Sequence, residues 1–349
     1  MNIYESRTYM ADLETAINQI AGNKEMKNSS FLITGATGTI GSFLIDLLIH
    51  NNRINHTEIK IYAVGRSIDR LSKRFDPVKT ERLVYVEYDF QHPFEIELKA
   101  DYIIHAAGNA YPGAFNSDPV GTIIGNIVST FYMLEYGKRC KSKRFLYISS
   151  GEIYGQGSLS IKDFSENYSG YIDSASVRSC YPLSKRAAEN LCVAYRKQYG
   201  LDTVIVRPSH TYGPTMTEKD NRANVQFVRN VLEGKDIILK SDGKQLRSYC
   251  YIVDCASAVL TVLLHGKSGE AYNCANPEAQ ATIAGLAELI AKISGRRVVF
   301  EEPEKNEIAN QTPISKQILN CKKIESLGWK GLFPLERGIE HMLKILSGE

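Results

Sequence analysis

The chain has 349 residues, a formal charge of +3, 43% apolar residues and 23% charged residues. These are ordinary values for a soluble globular protein of one large or two modest domains. A near-neutral charge argues against a nucleic-acid partner, which calls for a strongly basic face, but leaves room for small anionic ligands.

The N-terminal stretch MNIYESRTYMADLE is polar and acidic, unlike a signal peptide. Met10, Leu13, Ile17 and Ile20 then recur at helical spacing. They predict an amphipathic helix over Tyr9–Ile20, packed outside the domain as a plain appendage, within an N-terminal extension of residues 1–28. From there strands and helices alternate. Strands are predicted at Ser30–Ile33, Lys60–Val64, Leu83–Tyr88, Tyr102–His105, Arg144–Ile148 and Thr203–Arg207. Helices are predicted at Ser42–Asn51, Ile68–Phe75, Val120–Cys140 and Tyr181–Tyr199. Such alternation implies an α/β fold, a doubly wound parallel sheet of the Rossmann type over 29–208.

After Pro208 the segments shorten. His210–Arg222 reads as a polar loop, Val225–Glu233 as a helix, Ile237–Lys240 as a strand, and Ile252–Leu264 and Thr282–Ser294 as helices. Residues 209–349 are expected to form mainly a smaller α/β substrate-binding lobe, with some segments returning to the first domain. No apolar run approaches about 18 residues, so no membrane partner is expected. Seven cysteines without CxxC or Cys/His ligand spacing suggest free thiols in a reducing cytoplasm and no metal.

Gly35-Ala36-Thr37-Gly38-Thr39-Ile40-Gly41 stands between a predicted strand and helix. Its glycines permit a tight turn and close approach to a pyrophosphate, and the helix N-terminus supplies free N–H groups. This is the pattern of a dinucleotide site. The second strand ends in Gly65-Arg66-Ser67 instead of the usual ribose-binding acid. An arginine with a serine suits a 2′-phosphate, so NADP is preferred over NAD, with a solvated Arg66 on adenine as the alternative. Asp89 follows the third strand, where it can reach an adenine amino group. Ala106, Ala107 and Gly108 are small enough for a strand end to lie against a cofactor.

Tyr181-Pro182-Leu183-Ser184-Lys185 is Y-x-x-x-K, which puts both functional side chains on one helix face. Lys185 can stabilise a Tyr181 phenolate, and Tyr181 can take a proton from a substrate hydroxyl as hydride leaves its carbon. Cys180 has no base beside it and reads as structural.

GATGTIG, SSGEIYG (149–155) and YPLSK, in this order, resemble the extended short-chain dehydrogenase/reductase family of NAD(P)-dependent nucleotide-sugar epimerases, dehydratases and decarboxylases. Val206-Arg207-Pro208, Thr211-Tyr212-Gly213-Pro214, Arg247-Ser248-Tyr249 and Tyr251-Ile252-Val253-Asp254 agree with it. The resemblance implies that Gly35, Thr37, Gly38, Thr39, Ile40, Gly41, Arg66, Asp89, Phe90, Ala106, Ala107, Gly108, Ser149, Pro208, Tyr181 and Lys185 line the cofactor. It implies that Ser150 bonds the sugar O4, and that Asn109, Tyr111, Arg178, His210, Arg222 and Arg247 face substrate. Asn126 in the long helix is expected to buttress the site.

Glu152 matches the glutamate of the 4,6-dehydratases and UDP-glucuronate decarboxylases; epimerases typically lack a carboxylate there. Gly151 stands where many dehydratases carry an aspartate. Val177-Arg178-Ser179-Cys180-Tyr181 and the stretch from Asn109 to Pro119 are similar to the decarboxylases, while His210 departs from the family's usual asparagine. The reaction expected from the resemblance is transient C4 oxidation of a nucleotide-linked sugar, then decarboxylation or 4,6-dehydration. A 4-epimerase and an NADPH-dependent reductase forming an alditol are the alternatives. The resemblance also implies a homodimer in which Val120–Cys140 and Tyr181–Tyr199 of each subunit build a four-helix bundle.

Overall fold

This computed structural model of the chain describes residues 2–20, 22–158, 160–218, 220–302 and 314–349. Its central element is a seven-stranded parallel sheet. In chain order the strands are β1 (Ser30–Thr34), β2 (Lys60–Gly65), β3 (Leu83–Glu87), β4 (Tyr102–His105), β5 (Arg144–Ile148), β6 (Thr203–Pro208) and β10 (Ala271–Cys274). In space they run β10-β6-β5-β4-β1-β2-β3. Inner strands such as Phe31-Leu32-Ile33 and Phe145-Leu146-Tyr147 are apolar on both faces because both faces are covered.

One face packs on α5 (Pro119–Cys140) and α6 (Cys180–Tyr199), with Met133, Leu134, Ala188 and Cys192 against Leu32, Ile103 and Phe145. The other is covered by α2 (Thr39–Asn55) and α8 (Ile252–His265), and α1 (Arg7–Gln19) packs on the outside of those two helices. Strand order reverses between β1 and β4, and the carboxyl ends of the strands at such a reversal are where open α/β sheets bind ligands.

Helix α1 is more than an appendage. Ser6 caps it, and Tyr9, Asp12, Leu13, Ala16 and Ile17 are buried. Buried Asp12 accepts from the Tyr251 hydroxyl at 2.6 Å and meets His341 Nδ1 at 2.8 Å. Tyr9 and Arg74 both converge on Asp46 of α2. The hydrophobic spacing marks the helix but not these buried polar partners, which come from distant segments.

A second sheet is built on β9 (Leu246–Tyr251), which pairs with β7 (His210–Tyr212), β11 (Gln280–Thr282) and β13 (Lys316–Gln317). So the segment expected to be a polar loop from His210 begins as a strand, its three residues paired with Tyr249–Tyr251. β8 (Ile237–Leu239) and β12 (Val298–Phe300) form a small parallel pair beside α7 (Ala223–Leu232) and α9 (Ile283–Ser294). β10 and α8 belong to the first sheet and its cover, although they follow β9 or lie next to it in sequence.

Among the described residues no helix is long and apolar enough to cross a membrane, and no group of side chains is arranged to hold a metal ion. All seven cysteines are free thiols.

Candidate active site

The loop after β1 turns at Gly35 (φ +66°), and α2 begins at Thr39. A Cβ at Gly35 would lie 2.6 Å from the Ala106 carbonyl oxygen, and one at Gly41 would strike the Gly35 carbonyl. Gly38 caps α2 without a side chain, so the first-turn N–H groups stay available to an anion. Thr37, Thr39 and Ile40 are all partly exposed along this turn. The Thr215 hydroxyl donates to the Thr39 carbonyl at 2.8 Å and ties the second lobe to the loop.

On the opposite wall, the N–H groups of Ala106 and Ala107 donate to Thr34 Oγ1 at 3.1 Å each. Gly108 (φ +148°) leaves no room for a Cβ, which would sit 2.7 Å from Asn126 Oδ1. That oxygen and Ser149 Oγ are buried without protein partners. A close-packed glycine turn, an uncapped helix start and orphaned polar atoms fit a dinucleotide. Towards its adenine end, Asp89 is exposed beside His92, and Phe90 packs edge-on to Tyr88. Arg66 is exposed, whereas Ser67 Oγ caps the short helix α3 (Ile68–Phe75) by accepting from Arg70 N. Ser67 keeps its own proton to donate while it accepts from Arg70, so the cap does not decide between a ribose hydroxyl and a 2′-phosphate. Pro208 ends β6 in register with Cys274.

The catalytic candidates meet on the next strand end. Ser150 Oγ accepts from Glu152 N at 3.1 Å and caps the 3-10 turn Gly151–Tyr154, which presents the Glu152 side chain. Tyr181 and Lys185 lie one turn apart on α6, both buried. The Tyr181 phenol hydrogen-bonds Ser150; burial and then the Glu152 charge push its pKa up to about 12, partly offset by Ser150, Arg222 and Arg178. Lys185 Nζ donates to the Ile148 carbonyl at 2.8 Å and lies over the Tyr147 ring; burial lowers its pKa to about 7. The Asn126 amide donates to Ser184 Oγ, which donates to the Tyr181 carbonyl, at 3.0 Å each.

Three features here are not visible in the sequence pattern. Phe115, on the short helix α4 (Pro112–Ser117), stacks on Tyr181 with ring centroids 4.5 Å apart, and the Arg178 guanidinium covers Phe115 at 4.7 Å. Tyr111 packs against this cluster, and Asn109 is half-buried just before it. Beneath the Ser150 turn, the Tyr154 hydroxyl donates to Asn273 at 2.5 Å and accepts from Arg207, which pairs with Glu189 at 2.7 Å. The Cys180 thiol donates to the Phe115 carbonyl and packs beside Phe115 and Tyr181, and burial raises its pKa, in keeping with a structural thiol.

Because Arg207 and Glu189 are about one-tenth exposed, Glu189→Ala should destabilise the fold by about 3–5 kcal/mol by leaving a buried guanidinium unpaired. Urea denaturation measures this; a loss below about 1 kcal/mol, the scale of an exposed pair, would contradict it.

On the substrate side, Arg178 Nη2 binds both Glu152 oxygens at 3.0 and 3.2 Å. Arg222 grips Asp220 through Nε and Nη2. Arg247 is 2% exposed and donates only to the Leu246 and Ile314 carbonyls. Among the described residues it has no carboxylate partner within ion-pair distance, although it feels the Glu152 charge. His210 lies in the field of Arg247 and Arg222; burial and both arginines lower its pKa to about 3, and its Nδ1 has no partner.

His105, fully buried at the end of β4, has its pKa lowered to about 3 by burial and then by Lys185. Between the unfolded value of 6.5 and the folded value the unfolded chain binds more protons, so stability falls as pH falls. From pH 6.5 to 5 the loss is about 2 kcal/mol. The Tm advantage of the wild type over His105→Asn should therefore shrink on acidification; a constant difference between pH 7.5 and 5 would refute this.

Comparison with known proteins agrees with this geometry. The profile of the NAD dependent epimerase/dehydratase family matches residues 31–275. UDP-glucuronic acid decarboxylase 5 of Arabidopsis thaliana is 30% identical over 339 residues, covering 95% of each chain. Two solved structures are similar in fold. UDP-glucuronic acid 4-epimerase of Bacillus cereus, with UDP-glucuronic acid and NAD, has a TM-score of 0.76 at 24% identity, over 91% of this chain and 99% of that one. dTDP-glucose 4,6-dehydratase of Bacillus anthracis, with NAD, has a TM-score of 0.74 at 21% identity, over 91% and 96%. With the glycine turn, the buried Tyr181/Lys185 pair and the seven-stranded sheet in place, this chain belongs to the NAD-dependent epimerase/dehydratase family.

Proposed function

We propose that the chain decarboxylates a nucleotide-diphosphate uronic acid through transient oxidation at C4. The observation that carries this reading is Arg247: a buried guanidinium that has no carboxylate partner among the described residues, in the charge field of Glu152. An unpaired buried cation costs several kcal/mol, which an anionic group of the substrate would offset. Of the three arginines expected to face substrate, Arg178 and Arg222 already hold carboxylates, which leaves Arg247 for it among the described residues. The 30%-identical relatives named UDP-glucuronic acid decarboxylases support the same direction.

When bound, NAD supplies a reversible hydride acceptor for C4. Tyr181 removes the O4 proton, with Ser150 holding O4 and Lys185 favouring the phenolate. The resulting 4-keto group is β to the C5 carboxylate. The C5–C6 bond breaks, its electron pair moves towards O4, and carbon dioxide leaves. Glu152, oriented by Arg178, acts at C5, and Phe115 shields Tyr181 from water. A proton taken from solvent on the Glu152 side replaces carbon dioxide at C5, Tyr181 gives its proton back to O4, and the hydride is restored to C4 from NAD when it is bound.

4,6-Dehydration of the type that uses an acid at position 151 is disfavoured because Gly151 has no side chain to supply one; a Cβ there would come 3.3 Å from a Leu319 methyl, a contact that the leucine can relieve by a shift of a few tenths of an ångström. We take NAD as the cofactor. The family is described as NAD dependent, so the NADP preference read from Arg66 gains no support. Mass analysis of the nucleotide released from purified protein tests this, and NADP would overturn it.

The reaction is tested by incubating the protein with UDP-, dTDP-, GDP- and CDP-linked hexoses and uronic acids, read by mass spectrometry. Loss of carbon dioxide supports the reading. Loss of water, an unchanged mass with inverted C4, or gain of two hydrogens with NAD(P)H consumed would replace it with dehydration, epimerisation or reduction.

The proposed dimer uses the α5/α6 face, where Val120, Ile123, Ile124, Phe131 and Val193 are exposed. Burying such a patch is the usual reason for its presence. Light scattering should give twice the chain mass, and Ile124→Glu should give a monomer; a wild-type monomer would sink the assignment.

A further inference from the structure

His105 takes no part in the chemistry above, yet it is completely buried at the edge of the site. Its ring makes two hydrogen bonds, Nδ1 with Thr34 Oγ1 at 2.8 Å and Nε2 with Ser129 Oγ at 3.1 Å. The tautomer follows from Thr34. That hydroxyl already accepts from Ala106 N and Ala107 N, which fills both acceptor sites of an alcohol oxygen. Its own proton must therefore point at Nδ1. Nε2 then carries the ring proton and donates to Ser129, which donates to the Gly125 carbonyl.

Every donor in the run Thr34, His105, Ser129, Gly125 points the same way, and it ends on a backbone carbonyl. A second ring proton would face the Thr34 proton, so the imidazole is held neutral and cannot relay protons. What remains is a rigid spacer between two parts of the site. On one side, Thr34 precedes Gly35 of the phosphate turn and anchors the N–H groups leading to Gly108. On the other, Gly125 and Ser129 flank Asn126 on α5, from which hydrogen bonds continue through Ser184 to the Tyr181 carbonyl.

We propose that His105 is a positioning residue that holds the nucleotide-binding wall, Thr34 to Gly108, in register with the helix carrying Tyr181 and Lys185. The catalytic part of this role rests on the chemistry proposed above; the cofactor part does not.

The test uses the full chain and four variants. His105→Phe keeps a ring and removes both hydrogen bonds. His105→Asn places an amide oxygen where Nδ1 accepts from Thr34. Thr34→Val removes the hydroxyl at nearly constant shape, and Thr34→Ser keeps it; this second pair decides the matter if the His105 variants do not fold. NADH affinity is measured by fluorescence titration, kcat and KM on whichever nucleotide sugar the wild type converts, and folding by thermal melting.

His105→Phe and Thr34→Val should weaken NADH binding roughly tenfold and lower kcat by about 10²-fold, the effect of a small misplacement of reacting groups, with the sugar KM little changed. His105→Asn and Thr34→Ser should recover most of the NADH affinity. Folded Phe and Val variants with wild-type NADH affinity and kcat, or changes in Tm alone, would overturn the proposal. So would Asn and Ser variants no better than Phe and Val. If the wild type binds NADH but converts no nucleotide sugar, the proposed reaction fails while the NADH comparison still decides the role of His105.

Discussion

Replacing Tyr181 by phenylalanine is expected to lower kcat by about 10³-fold or more, because it removes the proposed acid–base group at O4. The fold should hardly notice. The ring is buried against Phe115, and that stacking survives the substitution. The only side-chain bond lost is to Ser150, which keeps its bond from the Glu152 amide. A phenol whose pKa is pushed up to about 12 also confers no ionic stabilisation on the folded state near neutral pH. Tm and the fraction of protein that retains NAD through gel filtration should therefore match the wild type. Turnover within tenfold of wild type in this variant would remove Tyr181 from the mechanism. Loss of NAD together with turnover would make Tyr181 a cofactor-binding residue instead.

The second large effect is expected at Glu152. Glu152→Gln should reduce carbon dioxide release by about 10²-fold, the lower part of the range for a positioned acid–base group. An amide oxygen can still accept from Arg178, so the turn capped by Ser150 should persist, with Tm changed by no more than a few degrees. Oxidation at C4 does not require Glu152 and should continue, seen as a rise in nicotinamide absorbance when substrate is added. That split between preserved oxidation and lost decarboxylation is specific to a residue acting at C5. In a 4-epimerase the same substitution would leave turnover nearly unchanged.

What the sequence makes legible follows from how local each signal is. The strands of the large sheet are short apolar runs bounded by glycine or polar residues, and Ser30–Thr34, Tyr102–His105 and Arg144–Ile148 fall where those runs predict. The glycine turn is legible because a backbone that must pass close to Ala106 admits little else. β9 is not. Its sequence, LRSYCY, puts Arg247 and Ser248 in a strand that is buried throughout except at Leu246, so neither alternation nor a continuous apolar run marks it. Phe115 over Tyr181 is a contact between segments 66 residues apart, and nothing in either segment announces the other. Ser67 shows the reverse problem. Next to Arg66 it reads as a phosphate ligand, but three residues before Arg70 it serves equally well as a helix cap, and its oxygen accepts there while its proton stays free to donate.

The fit around Gly151 also bears on how such a site could change its reaction over time. In the dehydratases that the sequence resembles, an aspartate often stands at that position. Here a Cβ would come 3.3 Å from a Leu319 methyl and 3.4 Å from the Pro208 carbonyl oxygen, so one leucine side chain has to give by a few tenths of an ångström while the backbone stays where it is. The position is open to a side chain at the cost of a small repacking. A lineage, or a directed-evolution library, could gain the acid in a single substitution, and a smaller residue at 319 would ease the fit afterwards instead of having to precede it.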